Sequence, residues 1–219
     1  MALNKLKFNS LNVTPTAGKT IGFNSSADGL EATLSGGAMT FIKKLTASSS
    51  SSLTFTNGSS DVVLDSTYKE YVFIYQDIHP SANGPNFQVQ FNAGGSAATK
   101  TTTSFYAYHN EGDTSTQLTY QASYDLAQST GAQTIATDIT NENDSSAAGY
   151  VHLFNPSSTT FVKHFLFRGI SPYPSSDSDG MKDQLVAGYA NTTSAVNAIQ
   201  FKMLSGNTDA GTIKMYGVS

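Results

Sequence analysis

The side chains that could carry out chemistry are few in this sequence, and they lie far apart along the chain. The four histidines, at positions 79, 109, 152 and 164, show neither the HxH nor the HExxH spacing of zinc sites. The sequence contains no GxSxG motif, no local Ser-His-Asp set and no phosphate-binding glycine loop. The absence of cysteine excludes thiolate nucleophiles, thiolate metal ligands and disulfides. We therefore predict a protein that is not an enzyme and needs no cofactor.

Acidic side chains are the remaining candidates for chemistry. Asp177, Asp179 and Asp183 surround Gly180 in a pattern that resembles part of a DxDG calcium loop, but the bidentate glutamate of an EF-hand is missing. Residues 141–144 (NEND) form a second acidic loop. We predict solvated loop residues without a metal, and the three aspartates are the positions to inspect for calcium. Carboxylate pairs that cleave glycosides come from distant strands and leave no local spacing, so this reaction class stays open.

Strands are the elements that must position any such site. The charged fraction is 13%, about half of the usual value, and low charge with abundant threonine and tyrosine favours strands over helices. The strongest strand pattern is Ser66–Pro80 (STYKEYVFIYQDIHP), in which Tyr71, Phe73 and Tyr75 alternate with further apolar residues. Apolar side chains on both faces predict a central strand that is covered on both sides.

Turn signals divide the rest of the chain into short segments. Asn57-Gly58 predicts a hairpin whose second strand runs along 61–64. Residues 125–129 match a single helical turn, and 171–183 have the composition of a long polar loop.

The number and spacing of strands predict the fold class. About ten to twelve strands at this spacing are typical of a sandwich or barrel. We predict an all-β fold, an antiparallel β-sandwich of jelly-roll type with a short N-terminal arm. Its aromatic core is predicted to include Tyr71, Phe73, Tyr75, Phe165 and Phe167.

The first 37 residues differ from the remainder, since they hold two short apolar groups separated by TPTAG and end at Gly36-Gly37. We predict two parts, an arm for docking or anchoring at 1–37 and the sandwich domain at 38–219. Because the arm is too short to bury much by itself, we expect it to dock on the main domain, a sister subunit or another protein. The predicted docking residues are Leu3, Leu6, Phe8, Leu11, Ile21 and Phe23.

Charge and hydropathy limit the partners. The net charge is -4 and the twelve lysines and arginines are scattered, which predicts no nucleic-acid partner. The first eleven residues lack the apolar region of a signal peptide, and no window approaches the roughly 20 apolar residues of a membrane span. We expect synthesis in a cytosol and no membrane partner.

Several segments together resemble a known class of proteins. STYKEYVFIYQDIHP, SFYAYHNEGD, YDLAQSTG, GYVHLFNPSSTTFVKHFLFRG and the terminal GTIKMYGVS are similar to β-rich virion structural proteins of tailed phages of the marine and cyanophage type. The resemblance covers about residues 39–219 and contains no catalytic motif. It implies a virion component on the capsid or tail, often oligomeric, without enzymatic activity.

Two functions follow from this resemblance as expectations. The first is a capsid decoration (cement) or accessory protein, made in the host cytoplasm and located in the virion. Its partners would be the major capsid protein or other virion subunits, and it would form a homo-oligomer, with a trimer as one option. The alternative is a lectin-like receptor-binding module of a tail fibre or tail appendage that binds host surface glycans. Because only 37 residues precede the strand-rich part, we favour the short-arm decoration protein over a fibre.

Overall fold

The computed structural model describes residues 20–23, 26, 28–33, 38–173 and 180–218. Within these ranges the chain is all-β, and none of the described residues belongs to a helix that could span a membrane. The strands are β1 (Thr20–Phe23), β2 (Leu30–Thr33), β3 (Met39–Thr46), β4 (Leu53–Thr56), β5 (Glu70–Pro80), β6 (Phe87–Ala93), β7 (Ser96–Ala97), β8 (Lys100–Asn110), β9 (Thr116–Tyr120), β10 (Gln133–Ala136), β11 (Ala147–Phe154), β12 (Lys163–Tyr173), β13 (Gly180–Ala190), β14 (Val196–Met203) and β15 (Thr208–Val218).

The chain divides into two compact units, residues 1–39 and residues 40–219. In the first unit, β1 and β2 form a two-stranded antiparallel sheet in which Thr20 pairs with Thr33 and Phe23 pairs with Leu30. The second unit contains two larger antiparallel sheets.

The larger sheet has eight strands in the order β3-β15-β5-β11-β12-β13-β8-β9. The smaller sheet has the order β10-β6-β14-β4, and β7 is its fifth strand, paired to β6. Strand β5 lies third from one edge of the larger sheet, between β15 and β11. The prediction of a central strand within 66–80 is therefore confirmed.

Aromatic rings from both sheets form one core. Phe73 of β5 packs edge-on against Phe55 of β4, with ring centroids 5.3 Å apart, and lies 5.8 Å from Phe201 of β14. Phe91 of β6 stacks on Phe165 of β12 at 4.7 Å. Such rings each bury on the order of 150–250 Å², so these contacts supply much of the apolar area that holds the two sheets together.

All five residues that the sequence predicts to form the core are buried in the core of the structure. Tyr71, Phe73 and Tyr75 have no exposed surface, and Phe165 and Phe167 are at most 3% exposed. They share one face of the larger sheet because alternate residues of a strand point to the same side.

The predicted hairpin at Asn57-Gly58 is wrong. Strand β4 pairs with β14, which is distant in sequence, and residues 61–64 form no strand. The Asn57 side chain explains the difference, since its Oδ1 accepts a hydrogen bond of 2.8 Å from the Leu64 backbone N–H. Leu64 is thereby held in the core, 2% exposed, without a ladder of strand hydrogen bonds.

The other two local predictions also fail. Residues 125–129 contain no helix; Ser129 instead pairs with Lys100 in an isolated bridge. The expected loop at 171–183 is strand at both ends, since β12 continues to Tyr173 and β13 begins at Gly180. Ser171 points inward, where its Oγ donates a hydrogen bond of 3.1 Å to the Thr137 carbonyl, so its polar side chain is buried and satisfied.

Candidate functional site

The side of the eight-stranded sheet turned away from the core carries many exposed apolar side chains. We call it the outer face, and it is formed by the outward residues of β8, β9, β11, β12 and β13. On β12, for example, Phe165 and Phe167 point into the core, whereas Leu166 and Arg168 point outward. Large apolar side chains that are 38–75% exposed on this face are Phe105, Leu118, Tyr120, Tyr150, Leu166, Ile170 and Met181.

Strand register lines up part of these side chains in a row. Tyr150 lies opposite Arg168, and Arg168 lies opposite Leu185. Leu185 in turn pairs with Phe105, which pairs with Tyr120 on the last strand. Directly opposed side chains on one face of a sheet are close enough to contact each other. The row therefore forms a nearly continuous apolar and aromatic band across five strands.

The one cation in this row is neutralised by a neighbour on the same face. Arg168 Nε lies 2.9 Å from Asp183 Oδ1, and Arg168 Nη2 lies 2.7 Å from Asp183 Oδ2. This two-point contact with the carboxylate raises the pKa of the guanidinium. The band thus presents an internally paired charge rather than a free one.

Two depressions lie on the outer face. One has a volume of about 490 Å³ and is lined by Phe105, Tyr150 and Leu185 among others. The second, of about 420 Å³, is lined by Phe154 and Tyr189 among others, and Leu166 borders both. Apolar depressions of this size can receive side chains of a partner or the apolar face of a sugar ring.

A more polar groove of about 430 Å³ lies where the ends of β8, β12 and β13 meet residues 140–145. Its lining includes His109, Glu111, Glu142 and Asp144 together with the half-exposed Met181. Carboxylates accept hydrogen bonds from hydroxyl groups, and the thioether offers an apolar contact. The groove is therefore suited to a ligand with several hydroxyl groups.

Of the three aspartates that the sequence marks for inspection as calcium ligands, the structure describes one. Asp183 lies on β13, where its carboxylate pairs with Arg168. Asp177 and Asp179 lie outside the described residues. Across residues 38–173 and 180–218 no group of three or more His, Asp or Glu side chains is arranged to hold a metal ion.

The predicted docking residues are only partly described. Ile21 and Phe23 lie on β1, and they are 39% and 74% exposed. Leu3, Leu6, Phe8 and Leu11 fall outside the described residues. Docking through this segment stays a prediction.

Three lysines point inward from the strands that carry the outer face, and no pattern in the sequence predicts this placement. Lys100 and Lys163 have no exposed surface, and Lys182 is 5% exposed. The Lys100 Nζ donates hydrogen bonds to Gln90 Oε1 on the smaller sheet, at 2.5 Å, and to the Ala98 carbonyl, at 2.7 Å. Burial lowers the pKa of Lys100 to about 8.

Lys182 is enclosed by polar and aromatic groups. Its Nζ lies 2.9 Å from Thr137 Oγ1, 3.0 Å from Asp138 Oδ2 and 3.9 Å from the centre of the Tyr173 ring. Burial lowers the pKa of this lysine, while the Asp138 carboxylate opposes the shift. Lys100 and Lys182 thus tie β8 and β13 to groups on or next to the smaller sheet, where aliphatic side chains would usually fill the space.

The surface with the most binding potential is therefore a sheet face, which no local motif could have revealed. The sequence signal for it is weak, because the outward residues of β12 and β13 mix apolar and polar side chains, such as Leu166 and Arg168 on β12. No protein-family model matches the chain, and neither a curated protein nor a solved structure matches it.

Proposed function

We propose that the protein is a non-enzymatic structural subunit of a tailed-phage virion, most simply a capsid decoration (cement) or accessory protein. The observation that supports this best is the outer face. The core is already complete, yet Phe105, Leu118, Tyr150 and Leu166 are left 38–75% exposed on one side of the sheet. Contiguous exposed apolar surface marks a site of protein interaction, as a subunit of an assembly requires.

The proposed fold is a jelly-roll sandwich with inserted strands. Four pairings support it, because they nest within one another: β3 with β15, β4 with β14, β5 with β11 and β6 with β10. These eight strands divide as β3-β15-β5-β11 in one sheet and β10-β6-β14-β4 in the other. A long hairpin rolled up into two four-stranded sheets has this order. The additional strands are β7 to β9 and β12 to β13.

The inserted strands carry the proposed interaction surface. Six of the seven exposed apolar side chains of the outer face lie on β8, β9, β12 or β13, and Tyr150 on β11 is the seventh. The eight nested strands would form two four-stranded sheets without them. We infer that the insertions widen the larger sheet in order to contact other virion subunits.

The N-terminal segment is proposed to dock on the capsid or on a sister subunit. The exposed Phe23 on β1 supports this role. Its side chain is 74% exposed, and burying it against a partner would be favourable by the hydrophobic effect. The proposed partners are the major capsid protein and further copies of the chain, and the proposed location is the virion.

Quantitative mass spectrometry of purified virions tests the proposal. The phage that encodes the chain is purified through density gradients, and the copy number is measured relative to the major capsid protein. A decoration protein is expected at a level comparable to that of the capsid subunits. A few copies per particle would contradict decoration and favour a tail location, and absence from particles would contradict both.

A lectin-like receptor-binding module is the second candidate, and the polar groove at the end of β8, β12 and β13 favours it. Glycan arrays probed with the purified chain, with and without calcium, test this function. Glu142→Gln removes a groove carboxylate, and Asp61→Asn at a distant, 93% exposed side chain is the matched control. The lectin function would be supported if Glu142→Gln reduces glycan binding and Asp61→Asn leaves it unchanged. The absence of binding to any glycan would refute it.

A further inference from the structure

Strand β9 forms one edge of the eight-stranded sheet, with hydrogen-bonding groups that have no partner in the described chain. It pairs with β8 and lies last in the strand order. Two hydrogen bonds flank the strand, one from the Asn110 N–H to the Ser115 carbonyl and one from the Gln121 N–H to the Ser104 carbonyl. They determine which residues of β9 direct their backbone N–H and C=O groups toward β8. Because bonding alternates along an antiparallel strand, Gln117 and Thr119 bond to β8. The N–H and C=O groups of Thr116, Leu118 and Tyr120 therefore point away from the sheet.

The outermost strands β3, β4 and β10 of the two larger sheets are protected, whereas β9 is not. Edge strands that must stay unpaired usually carry charges or proline, are very short, or are covered. Strand β3 carries Lys43 and Lys44, β4 has four residues, and all four residues of β10 are buried. The β9 sequence, TQLTY, has no charge and no proline, and four of its five residues are exposed. Among these edges, only β9 is left free to accept another strand.

We propose that β9 pairs antiparallel with β9 of a second copy of the chain, around a two-fold axis at Leu118. In this register Leu118 opposes its counterpart, and Thr116 of each copy opposes Tyr120 of the other. All three residues present outward N–H and C=O groups, so the register makes three reciprocal pairs with about six backbone hydrogen bonds. The two eight-stranded sheets become one continuous sheet.

A second copy fits this edge because the strand is self-complementary. A symmetric contact requires that the same patch bind to itself, and a strand centred on a residue with outward backbone groups meets this condition. The side chains also agree: Leu118, 75% exposed, and Tyr120, 55% exposed, would be partly covered on the outer face. The inference rests on this edge strand and does not depend on the proposed virion role.

The expected affinity is low. Five residues per copy are far fewer than the roughly 20–30 per side of a standard interface, so we expect a dissociation constant of roughly 10–500 µM. In an assembly that holds many copies side by side, such a contact is strengthened by the high local concentration.

Analytical ultracentrifugation of the purified chain, from about 5 to 500 µM, tests the pairing. The wild type is expected to shift from monomer to dimer across this range. Leu118→Pro removes the central outward N–H while leaving the bonds to β8 intact, and Leu118→Lys places a charge on the axis. Both variants are expected to remain monomeric, with circular dichroism spectra like that of the wild type.

The control is Leu166→Lys, which alters an exposed leucine of the same face on β12, away from the edge. This variant is expected to dimerise like the wild type. A wild type that stays monomeric throughout would overturn the pairing. A trimer, or an association that neither Leu118 variant affects, would also overturn it. An association that only Leu166→Lys abolishes would overturn it as well, because it would place the interface on the outer face. Virion mass spectrometry is independent of all these outcomes.

Discussion

Lys100 makes the stability of the protein depend on pH in a way that can be isolated. Its Nζ is fully buried between Gln90 Oε1 and the Ala98 carbonyl, and burial holds its pKa at about 8 instead of the ordinary 10.5. Because the unfolded chain binds this proton more tightly than the folded chain, stability rises as the pH increases from about 8 to about 10.5. The gap between these two pKa values corresponds to at most about 3 kcal/mol.

Lys100→Met tests this reasoning. The substitution removes the charge and both Lys100 hydrogen bonds. Gln90 Oε1 keeps its hydrogen bond of 3.1 Å from the Phe91 N–H, whereas the Ala98 carbonyl loses the Lys100 donor, which costs about 1–3 kcal/mol for a buried polar group. At pH 7 this loss offsets the relief from burying a cation, so we expect wild type and variant to differ little there. At pH 10 the wild-type lysine is neutral in the fold, and the wild type is expected to be more stable than the variant by about 2–3 kcal/mol.

Urea unfolding followed by far-ultraviolet circular dichroism between pH 7 and pH 10 is the assay. The chain has no tryptophan, so circular dichroism is a more suitable probe than tryptophan fluorescence. Lys44→Met, at an exposed lysine of β3, controls for the loss of a lysine in general. A difference between wild type and Lys100→Met that stays constant from pH 7 to pH 10 would refute the account of Lys100.

Three further substitutions test the core, the sheet and the arm. Phe73→Ala is expected to lower the free energy of unfolding by about 3–5 kcal/mol, and wild-type thermal stability would contradict its core position. Gly169→Ala would put its Cβ 2.5 Å from the Tyr75 hydroxyl, and calorimetry should record a loss of about 1–3 kcal/mol; an unchanged melting temperature would argue against this close packing. Phe23→Ser should weaken incorporation into virions, measured by mass spectrometry, whereas Phe161→Ser, 66% exposed in a loop, should not; equal incorporation of both would speak against docking through β1.

The all-β class and the central strand were predictable because they depend on local composition and alternation. Tyr71, Phe73 and Tyr75 share one face by strand geometry alone, and three successive aromatic side chains on one face favour burial in a core. The Asn-Gly turn signal failed at Asn57, where a side-chain hydrogen bond to the Leu64 N–H stands in place of the expected return strand.

The outer face could not be predicted, since an apolar residue in a strand is ordinarily assigned to the core. Leu166 and Phe165 are adjacent and both apolar, and only the position of the smaller sheet decides which is buried. The inward lysines were missed for the converse reason. A lysine in a strand is ordinarily assigned to solvent, and only the arrangement of acceptors such as Gln90 Oε1 makes burial of Lys100 tolerable.

The pairing of β3 with β15 has a consequence for how the chain folds. The contact joins residues near position 47 to residues near position 211, as in the 2.9 Å hydrogen bond from Ala47 N–H to the Gly211 carbonyl. Strand β5 likewise has β15 as one of its two neighbours, so during synthesis it lacks that neighbour until β15 has left the ribosome. Contacts of such long sequence separation make folding slow, in the range of milliseconds to seconds or longer. Until β15 is in place, β3 and β5 are open to pairing with other chains, and this interval is when aggregation competes most with folding.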